Sequence, residues 1–70
     1  MEDKKKLSIV VKHWIEHNQS HVDEYRKWAR RADELGLKQI TVEIEEAIRA
    51  LSLSNRHLEK ALKAVETPLA

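Results

Sequence analysis

Four histidines carry the metal chemistry open to this chain, and three of them, His13, His17 and His21, follow one another at intervals of four. On a helix that spacing sets all three along one side. Two imidazoles on successive turns can converge on one ion at ~2.1 Å. Eight residues span about 12 Å of helix, too far for all three to share one ion. The chelating unit is therefore His13 with His17, or His17 with His21, completed from elsewhere. His57, the carboxylates Glu16, Glu24 and Glu59, and the same residues of a second subunit are the available donors. An imidazole site without thiolate suits zinc, nickel, copper or cobalt. It needs neutral rings, so affinity falls away below about pH 6. A competing reading makes the same histidines a structural polar layer, hydrogen-bonded to Ser54, Asn55 and Glu59, that sets helix register.

Other chemistries fit less well. His13-Trp14-Ile15-Glu16-His17 reads H-x-x-E-H, the inverted zincin pattern, but 70 residues leave no room for a substrate cleft. A carboxylate-bridged di-iron bundle needs Glu-x-x-His on its helices. The residues three before the histidines are Val10, Trp14, Asn18 and Ser54, none of them acidic. With no cysteine, disulfides, thiolate zinc sites and thiol nucleophiles are excluded. No catalytic activity is expected. Thirteen Lys+Arg against 12 Asp+Glu leave a net charge of +1, with no general pull on nucleic acid or anionic lipid. Arg26 with Arg30 and Lys27 with Arg31 form basic ridges near Lys38, but Asp23, Asp33 and Glu34 interleave them. The longest uncharged apolar run, Leu7 to Val11, is far short of the ~20 residues that cross a bilayer. It follows Lys4-Lys5-Lys6 without a small-residue cleavage site. A cytoplasmic helical domain is expected, with no membrane or nucleic-acid partner.

The elements that must position the histidines are two helices. The one glycine, Gly36, divides two long stretches free of internal breakers, and the one proline, Pro68, lies at the C-terminal fringe. Glycine commonly sits just past a helix end, and Arg30 and Arg31 before it suit the negative end of a helix dipole. Thr41 is a candidate N-cap, with Glu43, Glu45 and Glu46 in the turn after it. The expected architecture is all-α: a flexible tail over 1–6, then an antiparallel two-helix hairpin over 7–66, then a tail over 67–70. Within the hairpin, helix 1 spans about 12–35, a turn 36–40, and helix 2 about 41–66. The β-branched Ile9-Val10-Val11 leaves helix 1 a choice of starting at Ser8 or near Lys12.

In the second helix Ile44, Leu51, Leu58 and Val65 repeat every seven residues. Ala47, Ser54 and Ala61, with Ile48, Asn55 and Leu62, widen that stripe around a polar centre. The first helix offers Trp14, His17, His21, Tyr25 (or Glu24), Trp28, Ala32 and Leu35, a stripe with aromatic ends and an imidazole middle. A turn over 36–40 makes facing residue numbers total roughly 76. That register places His21 opposite Asn55 and His17 near Leu58 and Glu59. Ile15, Ile40 and Leu53 fall off both stripes as a second contact surface. Two helices alone bury little, so a homodimer forming a four-helix bundle is expected.

His13-Trp14-Ile15-Glu16-His17-Asn18, with His21, Glu24, Tyr25 and Trp28-Ala29, resembles a small uncharacterised helical domain of prokaryotes, mainly archaeal and anaerobic. Its pattern is similar to H-W-I-E-H-N-x-x-H-x-x-E-[FY]-x-x-W-A, followed by a second helix rich in alanine and glutamate. The resemblance covers residues 7 to 65. Proline stands in that domain where this chain has Lys12, which favours a helix starting there. Such domains occur alone or joined to CooT-type nickel-binding domains. The resemblance thus implies handling of nickel or a related metal, as storage, delivery or sensing, with a metallochaperone or metalloenzyme as partner. The metal ligands expected from the spacing are His17 and His21 with His13 or His57, supported by Glu16, Glu24 or Glu59, and the ion is nickel or zinc.

Overall fold

The chain reverses at Gly36, whose φ of 75° lies in the left-handed region. Its N–H donates to the Asp33 carbonyl at 3.0 Å, and the next N–H, of Leu37, reaches back to the Ala32 carbonyl at 3.0 Å. This pair of bonds is the Schellman arrangement, which satisfies carbonyls that a helix end leaves open. A Cβ built on Gly36 meets nothing within 4 Å, so an alanine there carries only the backbone cost of a positive φ. Gly36→Ala is expected to destabilise the protein by about 1–2 kcal/mol, and Gly36→Asn by less, in urea unfolding at one protein concentration.

In the computed structural model, residues 2–66 are described. They form two helices, α1 (Glu2–Glu34) and α2 (Lys38–Glu66), in an antiparallel hairpin. The turn is shorter than the sequence suggests. Helix α2 starts at Lys38, and Thr41 lies within it as a buried residue whose Oγ1 donates to the Leu37 carbonyl at 3.0 Å. The Thr41 N–H bonds the same carbonyl. With that oxygen already beginning the helix, Thr41 cannot be its N-cap.

Helix α1 also starts earlier than expected. It takes in most of the supposed tail over 1–6 and the β-branched run, so it begins neither at Ser8 nor at Lys12. Glu2 and Asp3 in its first turn suit the helix dipole, and Lys6 pairs with Glu2 at 3.7 Å. Helix α2 runs far enough to support this segment. Lys12 Nζ lies 3.3 Å from Glu66, and Ser8 donates to the same carboxylate at 3.4 Å. Packing of Val11, 5 % exposed, outweighs the weak helix propensity of its neighbours. The tail expected over 67–70 lies outside the described residues, as does Met1.

The core follows a strict alternation of three and four. On α1 it comprises Ser8, Val11, Ile15, Asn18, Val22, Tyr25, Ala29 and Ala32, all buried or half-buried. On α2 it comprises Thr41, Ile44, Ile48, Leu51, Asn55, Leu58, Leu62 and Val65. This is the seam of a two-stranded antiparallel coiled coil. Midway along it Asn18 Nδ2 donates to Asn55 Oδ1 at 2.9 Å, and Asn55 Nδ2 donates to the Ile15 carbonyl at 3.1 Å. Facing residue numbers therefore total about 73, not 76, because the shorter turn moves the point of reversal back. The α2 stripe is as expected in Ile44, Leu51, Leu58 and Val65, with Ile48, Asn55 and Leu62 beside them. Ser54 and Ala61 are exposed.

The α1 stripe is corrected by about one position around the helix. Trp14 and Trp28 are 49 % and 54 % exposed, so neither is a core anchor of the hairpin. Ile15, assigned above to a second surface, belongs to the seam, while Ile40 and Leu53 are exposed.

Two broad sides flank the seam, and they differ. Lys12 and Glu66 meet on one of them. The same side continues as a shallow groove lined by Arg26, Asp33, Lys38, Glu45 and Arg49. On the other side, Trp14, His21 and Trp28 recur every seven residues along α1, with Leu35 in the same series just past its end, and Ile40, Ala47, Ser54 and Ala61 do so along α2. The molecule measures 54 × 17 × 11 Å.

Candidate metal centre

Helix α1 delivers the histidines as a single ridge. Because steps of four residues exceed one helical turn, the ridge drifts around the helix. It runs from exposed His13 through exposed His17 and half-buried His21 to half-buried Tyr25. The His13 and His17 rings lie 6.0 Å apart between centroids at an interplanar angle of 27°. The His17 and His21 rings lie 4.5 Å apart and nearly perpendicular, at 85°. His21 and Tyr25 follow at 6.0 Å.

One contact in this ridge has the geometry of a chelate. Nε2 of His17 and Nε2 of His21 are 3.0 Å apart. Two nitrogens each ~2.1 Å from one ion lie about 3.0 Å apart across a right angle, and about 3.4 Å across a tetrahedral one. The observed separation suits adjacent positions around one ion. Without an ion it is also a hydrogen-bond distance, one ring donating to the lone pair of the other. The two nitrogens thus lie side by side at a separation that one ion can bridge.

The remaining expected donors are not gathered with this pair. Among the described residues, no three His, Asp or Glu side chains come together to hold an ion. His13 reaches His17 by ring stacking alone. His57 is exposed on α2, and Glu16, Glu24 and Glu59 are exposed as well. Nor do the histidines form the polar layer between the helices. That layer is Asn18 with Asn55. Asn18 is the residue missed in the sequence, although its place in a three-four alternation with Ile15, Val22 and Tyr25 marks it as a seam position.

The basic ridge of α1 is engaged locally. Arg26 lies 3.9 Å from Asp23 and Arg31 lies 3.5 Å from Glu34, consistent with a solvated face laced by i,i+3 pairs. No helix among the described residues is long and apolar enough to cross a membrane.

Neither a curated protein nor a solved structure matches the chain. A family match does exist, and it spans nearly the whole hairpin. Residues 7–65 match the family described as a domain of unknown function, DUF8180, and the chain belongs to that family.

Proposed function

We propose that this protein is a small metal-binding helical protein in which His17 and His21 hold a divalent transition metal for storage, delivery or sensing. The observation that carries the reading is the 3.0 Å approach of the two Nε2 atoms. Nitrogen-only donors select zinc, nickel, copper or cobalt over magnesium and calcium. The resemblance of residues 13–29 to prokaryotic domains that occur with CooT-type nickel-binding domains favours nickel, with zinc the alternative. A metallochaperone or metalloenzyme then receives the ion. Two of the four to six positions around the ion are filled from one chain, a partial coordination that suits an ion meant to be passed on.

The hairpin associates as a dimer in a four-helix bundle. The chain exposes 5833 Å², whereas a compact monomer of 8.2 kDa exposes roughly 4500 Å². The excess is larger than the roughly 800 Å² each partner buries in a standard interface.

Calorimetric titration of Ni²⁺ and Zn²⁺ into the metal-free protein tests the site. The wild type is expected to bind, and the ion to stabilise it by about 2.7 kcal/mol at a hundredfold excess over Kd. His17→Ala and His21→Ala are each expected to lose that stabilisation while keeping their helicity. Equal binding by both variants and the wild type overturns the assignment.

A further inference from the structure

Among the described residues the His17–His21 pair lacks a third ligand, and the same side of the hairpin carries the exposed Trp14 and Trp28. We infer that a second copy of this chain covers that side, about a two-fold axis parallel to the long axis of the hairpin. In that dimer His57 of the partner subunit completes a three-histidine site with His17 and His21. The inference rests on the metal-binding reading above and adds the partner that makes the site whole.

This side is complementary to itself. Its bulky groups stand on α1 and, Ile40 near the turn apart, its small ones on α2, at matching heights: Trp14 beside Ala61, His21 beside Ser54, Trp28 beside Ala47. A two-fold axis along the hairpin lays α1 antiparallel against α2 of the partner in nearly the register used within the chain. Each tryptophan then fills the trough left by an alanine, as ridges pack into grooves. The alternative axis, across the hairpin, stacks the tryptophan stripe on itself and the alanine stripe on itself, crowding one and leaving the other hollow.

The outer edge of this interface supplies a second, independent match. On α1 that edge holds His17 and, two heptads on, Arg31. On α2 the corresponding residues are His57 and Glu43. The register that sets each tryptophan over an alanine also sets Arg31 opposite Glu43 of the partner subunit, a pairing of opposite charge. In the same register His17 comes level with His57 of the partner subunit. Two such sites form per dimer, one at each edge. Three imidazoles leave one position of a tetrahedral ion to water or to an incoming donor, which suits an ion that must be exchanged.

Complementation between variants decides the question. Sedimentation of the metal-free wild type is expected to show a dimer at tens of micromolar, and titration one ion per chain. His57→Ala is expected to weaken binding at least about tenfold, and His17→Ala with His21→Ala in one chain to remove it. Mixed dimers of these two variants hold one intact site each, built from both chains. After random exchange of equal amounts, tight binding is expected to return at about one ion per four chains. A monomeric wild type, wild-type affinity in His57→Ala, or no recovery on mixing overturns the shared site while leaving the His17–His21 pair standing. Failure of the wild type to bind either ion overturns that pair and this inference together.

Discussion

Asn55→Ala is expected to lower stability by about 2 kcal/mol, whereas replacing Asn18 and Asn55 together by leucine leaves stability unchanged or raises it. Asn55 accepts from Asn18 at 2.9 Å and donates to the Ile15 carbonyl at 3.1 Å, and it is 7 % exposed. Truncating it strands the Asn18 amide in a seam from which water is largely excluded, and the full cost of desolvating that group appears. Removing both amides strands nothing, and two leucines extend the apolar seam. What the double variant gives up is discrimination, since a polar pair in a coiled-coil seam penalises every other alignment. Urea unfolding of the three proteins at one concentration reads the sign reversal directly. An Asn55→Ala cost below about 0.5 kcal/mol, the range of ordinary surface substitutions, contradicts it.

The second large effect separates two stripes that lie side by side on α1. Val22→Asp is expected to abolish the folded state, while His21→Asp, one residue away, leaves the hairpin folded. Val22 is 2 % exposed. An unpaired carboxylate there costs several kcal/mol, comparable with the roughly 4–10 kcal/mol available to a chain of this size. His21 stands beside the seam and not within it, so its replacement costs the proposed metal chelate and not the fold. Circular dichroism at 222 nm distinguishes the outcomes. A helical Val22→Asp protein places the seam elsewhere.

These two residues also show how far the sequence could be read. The hairpin, its reversal at Gly36 and the α2 seam through Ile44, Leu51, Leu58 and Val65 were legible, because a lone glycine and a clean seven-residue repeat leave little choice. The face of α1 was not. Two stripes share the same period there, Ile15–Val22–Ala29 and Trp14–His21–Trp28, and periodicity cannot rank stripes of equal period. Size misleads in this case. The two tryptophans are the largest apolar groups in the chain, yet closely spaced helices near a tight turn accept alanine at Ala29 and Ala32, both 6 % exposed. Of the candidate site, the i,i+4 spacing of His17 and His21 was legible, but which pair of the three would converge depended on the side-chain rotamers. His57, expected beside them, lies exposed on α2 and is not gathered with them.

The asparagine pair also bears on how the chain reaches its fold. In a hairpin, sequence separation grows steadily with distance from the turn. Ala32 and Thr41 face each other nine residues apart, Asn18 and Asn55 are separated by 37, and Ser8 and Glu66 by 58. The entropy of loop closure therefore favours zipping outward from Gly36. A zipper that starts one helical turn out of step meets few penalties in its first residues, where the seam is alanine, threonine and isoleucine. At the midpoint it must bury unmatched amides, and it stalls before the half of the hairpin far from the turn has been committed. Asn18 and Asn55 are thus expected to act as a checkpoint along the folding path, rejecting misaligned chains while they can still reopen quickly.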